Sequence, residues 1–285
     1  MNAAKFEEEI FLNTQNEIQT LRKEIDDLRN ENIALHNELV KQNKILFEQV
    51  ISVGKELANQ QNILHQAIRF FNSQALQNHL IRLAGMQTAE FIAQNMNTTK
   101  IFNNKKDYLK YVLNHSQSIS GGGIYLEFGV YKGETVNLIA AAVPDKIVYG
   151  FDSFEGLPED WRYDLRFNLQ KGAFNLNGNA PQVNENVRLV KGRFNETLPE
   201  FVKEHTEPCA FIHVDCDLYS STKTIFDNLK NQIVSGTVIA FDEYFNYPGW
   251  QEGEYKAFME YVEENNIEFE YIARTDLEQV AVRIK

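Results

Sequence analysis

Residues 124–135, IYLEFGVYKGET, decide the fold. The first five form a short run rich in apolar and aromatic side chains, which reads as a buried strand. Gly129 and Gly133 then let the chain turn tightly, and the stretch that follows, 134–142, has helical spacing. The same form recurs downstream without any internal repeat of sequence. Further strands are expected at 147–151, 187–191, 210–214, 237–241, 269–273 and 279–284, with helices at 198–205, 222–229 and 254–265. Such alternation predicts an α/β fold, a doubly wound and mostly parallel seven-stranded sheet. The last two strands leave no room for a helix between them, so they are expected to form an antiparallel pair.

Upstream of this unit the texture is different. All six prolines lie at or after Pro144, and only Gly54 and Gly85 precede the glycines at 121–123. A segment without breakers reads as long helix. Taking Ile18 as an a position gives Phe11, Ile18, Ile25, Asn32, Leu39 and Leu46 at a, and Thr14, Leu21, Leu28, Leu35 and Gln42 at d. Glu17, Glu24 and Glu31 fall at g, while Arg22, Arg29 and His36 fall at e. In a parallel two-stranded coil each g faces the partner's e five residues on, which pairs Glu17 with Arg22 and Glu24 with Arg29 across the axis. A single polar residue at a, here Asn32, favours an in-register dimer. The simpler alternative is an amphipathic helix packed on its own domain. The expected organisation is a coiled-coil oligomerisation helix over 1–54 that ends near Gly54, a helical connector over 55–104, and the α/β domain over 105–285. The connector carries Ile63, Leu64, Ala67 and Ile68, then Leu80, Leu83 and Ala84, without a clean heptad.

Charge and cysteine content exclude several classes. Lys and Arg number 28 against 40 Asp and Glu, a net −12, so the basic footprint of a nucleic-acid binder is missing. Cys209 and Cys216 lie seven apart with no companion of metal-site spacing, and make neither a disulfide framework nor a thiolate site. The first ten residues carry three glutamates where a signal peptide would be basic, and no apolar run has membrane-spanning length. The expectation is a soluble, cytoplasmic protein with no membrane span and no nucleic-acid partner.

Ligands of doubly wound sheets bind beyond the C-terminal ends of the strands. The first strand ends in Glu127 and the Gly129/Gly133 turn, the second in Asp152-Ser153. An acid about 20 residues beyond a glycine turn is placed to accept hydrogen bonds from ribose hydroxyls. The three-glycine fingerprint of dinucleotide sites is missing and Lys132 fills the turn, which suits a nucleoside ligand without phosphates. The fourth strand ends in HVDCDLY, residues 213–219, and the fifth in Asp242-Glu243-Tyr244. Asp215, Asp242 and Glu243 come from neighbouring strand ends, and hard oxygen donors without a Cys/His set would select Mg²⁺, Mn²⁺ or Ca²⁺. The same acids also read as helix caps and loop formers without metal. His213 reads as a hydrogen-bonded structural histidine more readily than as a base. The long connection after Ser153, with Trp161, Arg162, Tyr163, Arg166 and Phe167, is of the length that closes over ligands. Tyr244, Tyr247 and Trp250 are candidates for an aromatic acceptor wall.

Five ordered blocks, YLEFGVYKGET, GFDSFEGLP, VKGRFNETLP, FIHVDCDLYSST and VIAFDEY, resemble the class I S-adenosylmethionine-dependent methyltransferases, specifically the macrocin/mycinamicin sugar O-methyltransferase-like family. The likeness spans roughly 105–285 and leaves 1–60 without a counterpart. It implies that Glu127, Gly129 and Gly133 surround the methionine part of the cofactor, that Asp152 binds the ribose with Ser153 beside the adenosine, and that Gly192, Arg193 and Phe194 lie near the adenine. It further implies that Asp215, Asp242 and Glu243 match positions that hold Mg²⁺ against the acceptor hydroxyl in metal-dependent relatives. Glu243 departs from the usual Asp or Asn.

The expected activity is methyl transfer from S-adenosylmethionine to a hydroxyl of a small-molecule or glycan acceptor, with Mg²⁺ or Mn²⁺ assisting. Asp215 and Glu243 are the candidate catalytic residues, with Asp215 as joint ligand and proton acceptor. Two competing readings are a metal-dependent glycosyltransferase built on the DxD at 215–217, and a non-catalytic coiled-coil scaffold with a cofactor fold. A homodimer through the N-terminal coil is expected under any of the three.

Overall fold

A computed structural model describes residues 3–73, 75–116, 122–162 and 169–285. Gly121 and three members of the long connection, Tyr163, Arg166 and Phe167, lie outside the described residues. The chain divides into two compact units, residues 1–73 and 74–285. No described helix is long and apolar enough to cross a membrane.

The first unit is one helix, α1 (Ala3–Ser73). It does not end at Gly54. A single interior glycine costs a helix only about 1 kcal/mol, and no other breaker accompanies it. The heptad seam is bare within the chain: Ile18 is 45% exposed and Leu35 63%, with Leu21, Ile25, Leu28 and Leu39 between these values.

In the second unit, α2 (Ala75–Asn95) leads to β1 (Lys100–Phe102) and α3 (Lys105–His115). There follow β2 (Ile124–Phe128), α4 (Glu134–Ala142), β3 (Val148–Asp152), β4 (Val187–Lys191), α5 (Phe194–Glu204), β5 (Cys209–Val214) and α6 (Tyr219–Leu229). β6 (Val238–Phe241), α7 (Glu254–Glu264), β7 (Phe269–Thr275) and β8 (Val280–Ile284) complete it. Among the described residues the sheet has eight strands, not seven, in the order β1-β7-β8-β6-β5-β2-β3-β4. The extra strand, β1, forms the edge and pairs parallel with β7 through three residues, too few for any periodicity to announce. β8 runs antiparallel to both β6 and β7, as the missing helix between the last two strands predicts.

Alternation along the strands divides the core. Leu126 and Phe128 of β2, Ile212 and Val214 of β5 and Phe241 of β6 point to one face, where Phe226 of α6 and Phe258 and Tyr261 of α7 cover them. Tyr125, Phe211, Val238 and Ala240 point to the other, packed with Tyr108, Leu109 and Val112 of α3 and Val136 and Ile139 of α4. Fully burying one such large side chain contributes about 1.5–3 kcal/mol. β2, β3 and β4 follow one another outward, then the chain crosses back and β5 inserts on the other side of β2. The strand order therefore reverses between β2 and β5, and a crevice opens above their C-terminal ends.

Candidate active site

Backbone geometry at the end of β2 comes first. Gly129 has φ +95°, and a Cβ there would stand 1.7 Å from the carbonyl oxygen of Asp215, so only glycine lets the β2 turn pass the end of β5. Gly133, at φ +84°, opens α4 without a side-chain cap. Asp152 closes the turn from the next strand: Oδ2 accepts from the backbone N–H of Val130 (3.0 Å) and Tyr131 (2.7 Å), and Oδ1 accepts from that of Phe154 (2.7 Å). A carboxylate has about four acceptor sites. Three are used here, which leaves one for a ligand hydroxyl.

Gly129, Val130, Tyr131 and Asp152 line a cavity of about 680 Å³, of small-molecule size. Gly129, Asp152, Ser153, Gly192, Arg193 and Phe194 are on its wall, and so are Asp215, Asp242 and Glu243. Gly133 is not on the wall, although its neighbours Lys132 and Glu134 are. Arg193 donates to the carbonyl of Gly156 (2.9 Å), and the Phe194 ring stands edge-on to Phe128 at 5.2 Å, so this wall is held from behind.

Glu127 does not reach the wall. Glu127 and His213 are register partners on adjacent strands, pointing to the same face, and His213 Nδ1 lies 3.0 Å from Glu127 Oε1 in a fully buried pair. Burial pushes the Glu127 carboxyl well above the usual carboxylate range. Burial, with the Lys105 charge, pushes His213 down to about 3. His213 is thus a neutral, hydrogen-bonded interior histidine.

The aromatic acceptor wall is also corrected. Tyr244 is 0% exposed, and its hydroxyl is hydrogen-bonded to that of Tyr271 (2.8 Å). Trp250 packs on Phe91 (5.4 Å) and Tyr255 (4.9 Å). Phe91 belongs to α2, so the segment read as a connector supplies the core that absorbs these rings. Tyr247 lies under the Arg162 guanidinium at 4.6 Å and borders a second, smaller cleft with Trp161, Arg162 and Asp217.

Oxygens of Asp215, Asp242 and Glu243 lie within 4.8 Å of one another, a spacing that one cation can bridge. Two further acids belong to the cluster. Asp217 borders the cavity, and Glu254, fully buried at the start of α7, accepts from the backbone N–H of Glu243 (3.3 Å). Burial first, and then the neighbouring carboxylates, hold Asp217, Asp242, Glu243 and Glu254 above the ordinary range.

The residue that sequence reasoning missed is Lys105. Its Nζ lies 2.6 Å from Asp242 Oδ1 and 3.2 Å from Asp215 Oδ2. Burial alone would lower its pKa, but Asp215 and Asp242 more than reverse this and hold the ammonium above the usual lysine value. A signal was present. Lys105 is the first residue of α3, where a positive charge opposes the helix dipole.

A mostly parallel sheet that reverses its order above a glycine turn, with an acid ending the next strand and carboxylates ending the two on the other side, defines a methyltransferase-like α/β protein. The chain belongs to the macrocin-O-methyltransferase (TylF) family, whose model matches residues 29–283. The match begins well upstream of residue 105, so the family extends into α1 and includes α2, beyond the blocks that carry the resemblance in sequence. Among curated proteins, demethyldecarbamoylnovobiocin O-methyltransferase of Streptomyces niveus is 27% identical over 163 residues, half of this chain. The chain spans 61% of that relative's length. Among solved structures, the calicheamicin methyltransferase CalS11 superposes with a TM-score of 0.52 at 21% identity, covering 62% of this chain and 77% of the other. That likeness is one of fold.

Proposed function

We propose that this chain transfers the methyl group of S-adenosylmethionine to a hydroxyl oxygen of a sugar-type small-molecule acceptor. The observation that carries the reading is that the glycine turn with its Asp152 clasp and the carboxylates of β5 and β6 face one cavity, so a nucleoside ligand and an oxygen nucleophile can meet there. Asp152 takes one ribose hydroxyl through its remaining acceptor site, and Ser153 and Gly192–Phe194 flank the adenosine. Glu127 supports the turn from the interior. Asp215 receives the proton of the acceptor hydroxyl. Most of the acceleration comes from holding oxygen and sulfonium in line, and the acidic wall favours the cationic donor.

The donor set of Asp215, Asp242 and Glu243 suits Mg²⁺ or Mn²⁺: all are hard oxygens, and Glu243 Oε2 is buried without a hydrogen-bond partner. Such an ion would supply Lewis acidity that lowers the pKa of the acceptor hydroxyl. The family gives no support to the glycosyltransferase reading of Asp215 and Asp217.

Through residues 11–39 of α1 we infer a parallel homodimer. A bare Ile/Leu seam with Glu at g and Arg at e supports this, with Asn32 meeting its twin across the axis. The test of the activity is calorimetry of the full chain with S-adenosylhomocysteine and with a panel of nucleoside diphosphates. Binding of the former alone is expected. Preference for a diphosphate would overturn the assignment.

A further inference from the structure

Lys105 presents a problem of occupancy. Its ammonium sits between the carboxylates of Asp215 and Asp242, two of the three acids whose spacing suits a divalent ion. A divalent ion held by Asp215 and Asp242 would draw on the same carboxylates that the ammonium now contacts. The ammonium and such an ion would therefore compete for the same two acids.

Local structure does not explain the placement. α3 is already capped by Asn104, whose side chain accepts from the Asp107 N–H, and Asp107 supplies the acid its first turn favours. A lysine at the first helical position works against that end of the helix. What the side chain gains is the contact with the two acids. Its own surroundings allow it to leave: the Lys105 side chain is 33% exposed and borders the open cavity. An independent feature points to a cation with more ligands than an ammonium uses. Glu243, nine-tenths buried on the same wall, keeps Oε2 without a hydrogen-bond partner.

We propose that Lys105 is a tethered cation that competes with the divalent ion for Asp215 and Asp242, and so sets the metal affinity of this site. With no metal bound, the ammonium holds β5 and β6 together against the repulsion of their acids. Metal entry then requires the side chain to swing into the cavity. Lys105 is in this sense a positioning residue, and the inference rests on the metal site proposed above.

The test is binding of Mn²⁺ alone, followed by loss of the free-ion electron paramagnetic resonance signal, to the full chain and to Lys105→Met and Lys105→Arg. Lys105→Met removes the charge and keeps the bulk. It is expected to bind Mn²⁺ about ten- to a hundredfold more tightly, the scale on which groups around a metal's ligands act, while Lys105→Arg gains nothing. In the unaltered protein, saturating Mn²⁺ should raise acylation of the Lys105 amine severalfold, read by peptide mass spectrometry. This arm needs no variant to fold. Equal Mn²⁺ affinity of Lys105→Met and the parent, absence of Mn²⁺ binding by both, or acylation indifferent to Mn²⁺ would each overturn the proposal. S-adenosylhomocysteine binding by the unaltered protein without Mn²⁺, measured alongside, reports separately on the methyltransferase reading.

Discussion

Asp152→Asn separates the hold of this carboxylate on the turn from the ribose contact proposed for it. In the parent, Oδ2 takes the N–H groups of Val130 and Tyr131 and Oδ1 takes that of Phe154. An asparagine can put its oxygen in the Oδ2 position and lose the Phe154 bond, or turn over and lose the other two. The cheaper choice forfeits one charge-assisted bond, about 1.5–3 kcal/mol, and makes the two survivors neutral. The total is roughly 2–4 kcal/mol of stability, or about 4–16 °C in melting temperature for a domain of this size. The last acceptor site for a ribose hydroxyl is also weakened, which should raise the dissociation constant for S-adenosylhomocysteine by about 10- to 150-fold. Thermal melts and calorimetry on the full chain read the two effects separately. A variant that loses affinity but melts with the parent would show that Asp152 does not hold the turn. A variant that melts early but binds with parental affinity would refute the ribose contact, and parental values in both would refute the whole argument.

Gly129→Ala should unfold at least about 5 °C earlier and lose cofactor binding. The positive φ alone costs about 1–2 kcal/mol, and the new Cβ must also displace the Asp215 carbonyl; a parental melt would contradict so close an approach. Turnover should vanish on chelation and return with Mg²⁺ or Mn²⁺, and full activity in excess chelator would take the metal out of the reaction. In the helix, Leu28→Cys should crosslink to its twin under mild oxidation, because d positions face each other in a parallel in-register coil. A variant that stays uncrosslinked while sedimenting as a dimer would exclude that register.

What was legible in the sequence lay where local chemistry and tertiary need agree. The strand-turn-helix at 124–142 reads correctly because its glycines are required by the backbone itself, and Asp152 ends the next strand where its spacing from them places it. The antiparallel pair β7–β8 followed from the arithmetic of connection length. What failed was set by contacts distant in the chain. Tyr244 and Trp250 look like a ligand wall until Phe91, more than 150 residues upstream, supplies the ring they pack on. Glu127 carries a motif position, but its carboxyl is fully buried against His213, close behind the Asp215 that lines the cavity. Gly54 was read as a stop because glycine weakens helices, yet its penalty is small beside the cooperativity of a helix as long as α1.

The same logic predicts that a change at the Gly129 turn is felt at the acids. The Gly129 turn and Asp215 follow β2 and β5, far apart in sequence and adjacent in the sheet. Their C-terminal ends are bonded, the Asp215 N–H donating to the Phe128 carbonyl at 2.9 Å, and next to that bond Gly129 gives up a Cβ to let the turn pass. Asp242 is tied in turn, its N–H donating to the Val214 carbonyl at 2.9 Å. A shift of the glycine turn therefore moves Asp215, and through the sheet Asp242, which changes the gap that Lys105 or a metal must fill. Binding of the cofactor against this turn is accordingly expected to alter Mn²⁺ affinity at the acids, and by thermodynamic reciprocity Mn²⁺ must alter cofactor affinity by the same factor. Calorimetry of S-adenosylhomocysteine with and without Mn²⁺, paired with Mn²⁺ titration with and without S-adenosylhomocysteine, measures both sides of that identity. No change in either direction would mean that the two walls, although bonded, respond as separate sites.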